Sequence, residues 1–122
     1  MKKNLTFNLL LAAMLSIGNL LKAQSLDSKY FTGYWTSDKS STRLVFFIDI
    51  NDKLQLVEWD SKGGEEMEII DMKIDGNKIK TTERFKSMNH VTYNEYILSD
   101  ENKIENIISG DANTTIYFKR LK

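Results

Sequence analysis

The chain contains no cysteine and no proline, one histidine, and no excess of either charge. Each absence removes a class of function. Without cysteine there can be no disulfide, no thiolate metal site, no cysteine nucleophile and no lipidated cysteine of the kind that anchors an exported protein to a membrane. The single histidine, His90, sits in the polar stretch Ser87-Met88-Asn89-His90, where a lone residue is ordinarily solvated, and any imidazole chemistry would need partners gathered from distant loops. Seventeen Lys and Arg residues balance seventeen Asp and Glu residues, so no chain-wide field draws the protein to nucleic acid or to an anionic membrane. The lack of proline suits uninterrupted strands, because every backbone N–H stays available to a ladder. Metal and phosphate motifs are missing too. Asp49-Ile50-Asn51-Asp52-Lys53 lacks the glycine and closing glutamate of a calcium loop, and Gly63-Gly64 runs into Glu65-Glu66, which would repel a phosphate. No metal, no cofactor and no catalytic residue is expected, and the chain is read as a non-enzyme.

What is present begins with a targeting pattern. Met1-Lys2-Lys3 is followed by an apolar run from Leu9 to Leu21 and then by Lys22-Ala23-Gln24-Ser25. A basic start, a short apolar stretch and a small residue before a polar one are the parts of a secretory signal peptide. Gly18, Asn19 and Lys22 weaken the alternative of a retained anchor helix. Residues 1–24 are therefore expected to be a cleaved signal peptide and residues 25–122 one domain, exported to the periplasm or secreted, with no stable membrane anchor. At 41% hydrophobic and 28% charged residues that domain is globular, and so short that every strand must contribute to its core.

Turn chemistry divides the domain regularly. Strands are expected over 30–36, 42–50, 54–59, 65–74, 78–85, 91–98, 103–108 and 115–121, separated by polar stretches, of which Asp75-Gly76-Asn77 is the clearest hairpin signal. No apolar set recurs at helical spacing over ten or more positions, so at most one short helical turn is expected. Eight hairpin-linked strands form an antiparallel up-and-down meander. Such a meander can close into a small barrel by pairing its first strand with its last, at a size that is either filled or holds one small ligand. An open sheet and a sandwich of two four-stranded sheets are the rival all-β solutions.

The first strand carries Phe31-Thr32-Gly33-Tyr34-Trp35. If it is extended, Phe31, Gly33 and Trp35 share a face, the glycine leaves room for a close neighbour and the indole plugs one end of the barrel. A Gly-x-Trp opening an eight-stranded meander in an exported chain resembles the lipocalin-like, calycin-type barrels. That resemblance implies a small exported ligand-binding barrel in which a basic residue near the end of the last strand packs on the tryptophan. The counterpart here is Arg120, with Ile116 and Phe118 on the same inward face. Gly33, Trp35 and Arg120 would thus close the barrel. The run Thr32 to Asp38 also resembles the first strand of avidin-type biotin binders, with Ser37 and Ser41 at their polar-contact positions. Lys39 replaces an apolar residue of that pattern, however, and no tryptophan follows Trp59, so biotin is not the expected ligand.

Charged residues on apolar faces give the candidate site. Ile79, Thr81, Glu83 and Phe85 alternate with Lys78, Lys80, Thr82 and Arg84, which turns Glu83 inward. A buried carboxylate is costly unless paired, wetted or used. Glu58 joins it if Leu54 and Leu56 face in, and Glu95 joins if Val91, Tyr93 and Ile97 do; Thr92, Asn94, Tyr96 and Leu98 could equally be the inner face of that strand. The ligand-binding hypothesis is a polar pocket of Glu83, Tyr93, Glu95 and Arg120 around a small, partly apolar molecule, against the bland reading of carboxylates wetted at a barrel mouth. The alternative function is a protein-interaction barrel, such as a secreted hydrolase inhibitor or a homodimeric surface component. It would use an outward cluster of Val45, Phe47, Val57 and Trp59. That cluster exists if Ile50 pairs with Leu54, and a shift of one residue, which sets Leu44 opposite Trp59, removes it.

Overall fold

In a computed structural model describing residues 28–122, eight antiparallel strands form a nearly closed barrel. The expected signal peptide lies outside the described residues. The strands are β1 (Gly33–Thr36), β2 (Thr42–Ile48), β3 (Leu54–Asp60), β4 (Glu68–Asp75), β5 (Lys78–Phe85), β6 (His90–Asp100), β7 (Lys103–Gly110) and β8 (Thr114–Arg120). Their order around the sheet is β3-β2-β1-β8-β7-β6-β5-β4. First and last strands pair as expected, with Trp35 opposite Arg120 and Thr36 opposite Lys119.

The gap lies where the sequence suggests none, between β3 and β4. Residues 65–67 read as strand, yet they leave only one bridge there, Trp59 to Glu66, with Met67 N–H donating to the Glu58 carbonyl at 2.8 Å. β4 starts at Glu68, makes a bulge between Ile69 and Asp71, and keeps Ile70 and Ile74 about half exposed. An edge strand with Asp71, Lys73 and Asp75 on it is poorly suited to pairing with another chain.

The one helical turn among the described residues is a 3-10 turn at Ser28–Phe31, so the first strand begins later than its sequence suggests. Phe31 is still buried, reached by that turn rather than by strand alternation, and its carbonyl accepts a 2.7 Å hydrogen bond from Trp35 Nε1. The β2–β3 hairpin takes neither anticipated register. Ile48 pairs with Leu54, Phe46 with Leu56, Leu44 with Glu58 and Val45 with Val57, because the loop is longer than a three-residue turn: Asp49 accepts from the N–H groups of Asn51 and Lys53 and so holds it together. The two-residue displacement preserves the faces, leaving Leu44, Phe46, Leu54, Leu56 and Glu58 inside.

One end of the barrel is sealed. Phe31, Trp35, Leu44, Phe46, Leu98, Ile104 and Phe118 are among the core residues with essentially no exposure. Arg120 lies 4.3 Å from the centre of the Trp35 ring, and its guanidinium donates to the carbonyls of Tyr30, Thr32 and Glu101. Gly33 makes this possible, since its φ is +129° and a Cβ there would come within 2.7 Å of Arg120 Nη1.

Candidate functional site

The opposite end is built differently, and the change is graded along the strands. Reading from the sealed end, the inner face runs Leu54, Leu56, Glu58 on β3; Ile79, Thr81, Glu83 on β5; Leu98, Tyr96, Asn94 on β6; and Ile104, Asn106 on β7. Each strand starts apolar and turns polar while remaining buried. Pairing of β5 with β6 and of β6 with β7 sets these polar positions side by side.

At the centre of the polar half, the Tyr96 hydroxyl lies 2.5 Å from Glu58 Oε1 and 2.7 Å from Glu83 Oε2, and Thr81 Oγ1 also donates to Glu83 Oε2. A phenol has one hydrogen to give. If it goes to one carboxylate, the contact with the other is met by a proton on that carboxyl. Burial, and then the nearby charge of Glu83, push the Glu58 carboxyl well above the usual range. Burial, followed by the charges of Glu58 and Glu83, raises the Tyr96 hydroxyl well above its usual value as well, so it stays protonated. Behind this group Asn106 Nδ2 donates to Asn94 Oδ1 and Asn94 Nδ2 to Thr92 Oγ1, at 3.2 and 3.0 Å.

One oxygen is left over. Glu83 is 1% exposed, and its Oε1 has no hydrogen-bond partner among the described residues. Nor does a cation neutralise the pair: the described ion pairs join Lys78 and Lys80 to Glu95, Arg84 to Glu68 and Lys119 to Asp38. Glu58 and Glu83 line a cavity of about 260 Å³ at this open end, whose walls include Trp59, Met67, Phe85 and Met88.

The residues expected to form a pocket do not assemble as one. Glu83 is inside, joined by Glu58. Tyr93 and Glu95 are outside: β6 turns Asn94, Tyr96 and Leu98 inward, leaving Tyr93 56% exposed and Glu95 between two lysines. Arg120 is at the sealed end, with its donors occupied by carbonyls. His90 is exposed at the first position of β6 and lines the open-end cavity. Thr81 lies inward as its strand alternation suggests, and Asn94 and Tyr96 belong to the alternative inner face that the sequence left open for β6, whereas Asn106 carries no sequence signal of its own. Outside the barrel, Val45 opposes Val57, Trp59 lies across from Arg43, and Phe47 is 41% exposed. The Tyr34 ring meets Trp59 edge-on at 5.7 Å. Among the described residues no group of three or more His, Asp or Glu side chains could hold a metal ion, and no helix is long and apolar enough to cross a membrane.

No protein-family model and no curated protein sequence matches the chain. Among solved structures, the crystal structure of pallilysin from Treponema pallidum is similar, with a TM-score of 0.52 and 9% identity over 90% of this chain and 97% of that one. At that identity the likeness is one of fold alone. The nearly closed eight-stranded barrel is consistent with a calycin-type barrel, and the chain is assigned to no family.

Proposed function

We propose that this chain is an exported, non-catalytic barrel, periplasmic or secreted, that binds a small, partly apolar molecule at its open end. The observation that carries the reading is Glu83 Oε1, a buried acceptor without a partner among the described residues on a side chain that lines a cavity. A buried acceptor left without a donor costs about 1–3 kcal/mol, and a ligand donor removes that cost. Apolar walls with a few convergent polar groups are the ordinary composition of a small-molecule site. Native mass spectrometry of the protein purified from its own host tests this: a carried small molecule is expected, and it should weaken or change in Glu83→Gln. An empty interior in both proteins would refute the reading.

A second reading is supported by the outward cluster of Tyr34, Val45, Phe47, Val57 and Trp59, an ordered aromatic patch on a sheet face. It would serve a protein partner or a second copy of the chain. Analytical ultracentrifugation of wild type and Phe47→Ser separates the two readings, since a self-association lost in the variant belongs to the patch and not to the interior.

A further inference from the structure

The chemistry of the open end narrows the kind of molecule it can take, on the condition that the small-molecule reading above holds. We propose that the ligand is a small protonated amine on an apolar body, held against Glu83 while Glu58 keeps its proton. The unpartnered atom on the side chains that line the cavity is an acceptor, and it calls for a donor. Glu83 Oε1 lacks one, while Glu83 Oε2 is already held by Thr81 and Tyr96. An anion would meet two buried carboxyls with no basic side chain paired to them. A neutral hydroxyl would satisfy the orphan oxygen but leave any buried negative charge uncompensated. An ammonium does both, and the hydrogen bond it makes is charge-assisted.

The charges then balance: the ammonium faces the Glu83 carboxylate, and Glu58 keeps its proton and its contact with Tyr96. The titratable groups facing the site are Glu58 and Asp60 from β3, Glu83 from β5, and Tyr96 and His90 from β6. Above the amine head, the walls from Phe85, Met67 and Met88 suit an aromatic or aliphatic body.

The test is isothermal titration calorimetry on protein purified from its host, with three probes of one shape: 2-phenylethylamine, 2-phenylethanol and phenylacetate. The amine is expected to bind at least about tenfold tighter than the alcohol, with phenylacetate undetected. Repeating the titration in buffers of different ionisation enthalpy should reveal no proton release, since one carboxylate balances the ammonium. Glu83→Gln should bring amine and alcohol within about threefold of each other while still melting cooperatively. Should that variant fail to fold, Glu58→Gln, whose amide stands in for the protonated carboxyl, must keep the amine at least about tenfold ahead of the alcohol.

Equal binding of amine and alcohol, preference for phenylacetate, or loss of the amine preference in Glu58→Gln would overturn the inference. A neutral or anionic molecule carried from the host would overturn it while leaving the binding reading intact. If none of the three probes binds and native mass spectrometry finds nothing carried, both fall together.

Discussion

At one end of the barrel a guanidinium has its donors taken up by three carbonyls and its face laid on an indole; at the other a carboxylate oxygen has no donor among the described residues. Both groups are polar, and the difference lies in what surrounds them. Arg120 brings donors to backbone carbonyls at and beside the Ser28–Phe31 turn and in a hairpin turn, so it stabilises the end it covers. Glu58 and Glu83 are brought together as two acceptors with too few donors, an arrangement that stability alone does not favour. A domain this small has roughly 5–10 kcal/mol of stability, so the sealed end must supply what the open end costs.

Substitutions at the two ends should therefore differ in size and in sign. Trp35→Ala, which removes the largest buried side chain of the sealed end, should cost about 3–5 kcal/mol in denaturant unfolding; a loss under about 1 kcal/mol would mean that the indole is not a core element. Gly33→Ala should cost about 1–3 kcal/mol, because a Cβ at φ +129° both strains the backbone and displaces Arg120. Pairing it with Arg120→Ala should recover part of that loss, since the clash then has no partner.

At the open end the effect should depend on pH. The folded protein raises the Glu58 carboxyl above its unfolded value, mainly by burial. The folded state then binds the proton more tightly than the unfolded state, so this contribution is complete below the ordinary carboxyl range near 4.5. It declines as pH rises toward the raised value, by up to about 1.4 kcal/mol per pH unit. Glu58→Gln should therefore be more stable than wild type at alkaline pH and lose that advantage near pH 4. Parallel stability profiles for the two proteins would show that Glu58 is not the titrating group. The smallest effect should come from the outer surface. Phe47→Ser, on a side chain already 41% exposed, should change monomer stability by no more than about 0.5 kcal/mol, and a larger loss would mean the face is covered.

The sealed end was legible because its parts are local or unique. Gly33 and Trp35 are two residues apart, and Arg120 lies on the final strand, so one closing pair brings them together. Glu83 was legible from the strict alternation of β5. β6 was not, since Asn94 and Thr92 make its inner face as polar as its outer one, and the Tyr96 hydroxyl gains its partners only from β3 and β5. Inward Tyr93 and Glu95 require Val91 and Ile97 inside, and apolar content does not separate that face from the one carrying Tyr96 and Leu98. A usable signal did exist in the order of inner residues, apolar to polar along β3, β5, β6 and β7, but reading it requires knowing which strand ends lie together. The gap between β3 and β4 was hidden for another reason. Glu65-Glu66-Met67 has the length to continue a strand, yet most of its backbone is used in the loop back to Asp60 and Glu58.

That gap also bears on how the barrel reaches its native state. Seven of its neighbour relations are full strand pairings, and six of these join consecutive hairpin arms; only the β1–β8 pairing spans nearly the whole domain. Strand order therefore follows chain order everywhere except across that one contact. A circular permutant that links residue 122 to residue 28 and opens between residues 61 and 64 would thread the same sheet from β4 through β8 and on to β3 with every pairing local. Lower contact order shortens the search for the native topology. Stopped-flow refolding should show the permutant folding faster than the natural thread, and equal rates would mean that closing β1 on β8 is not the slow step.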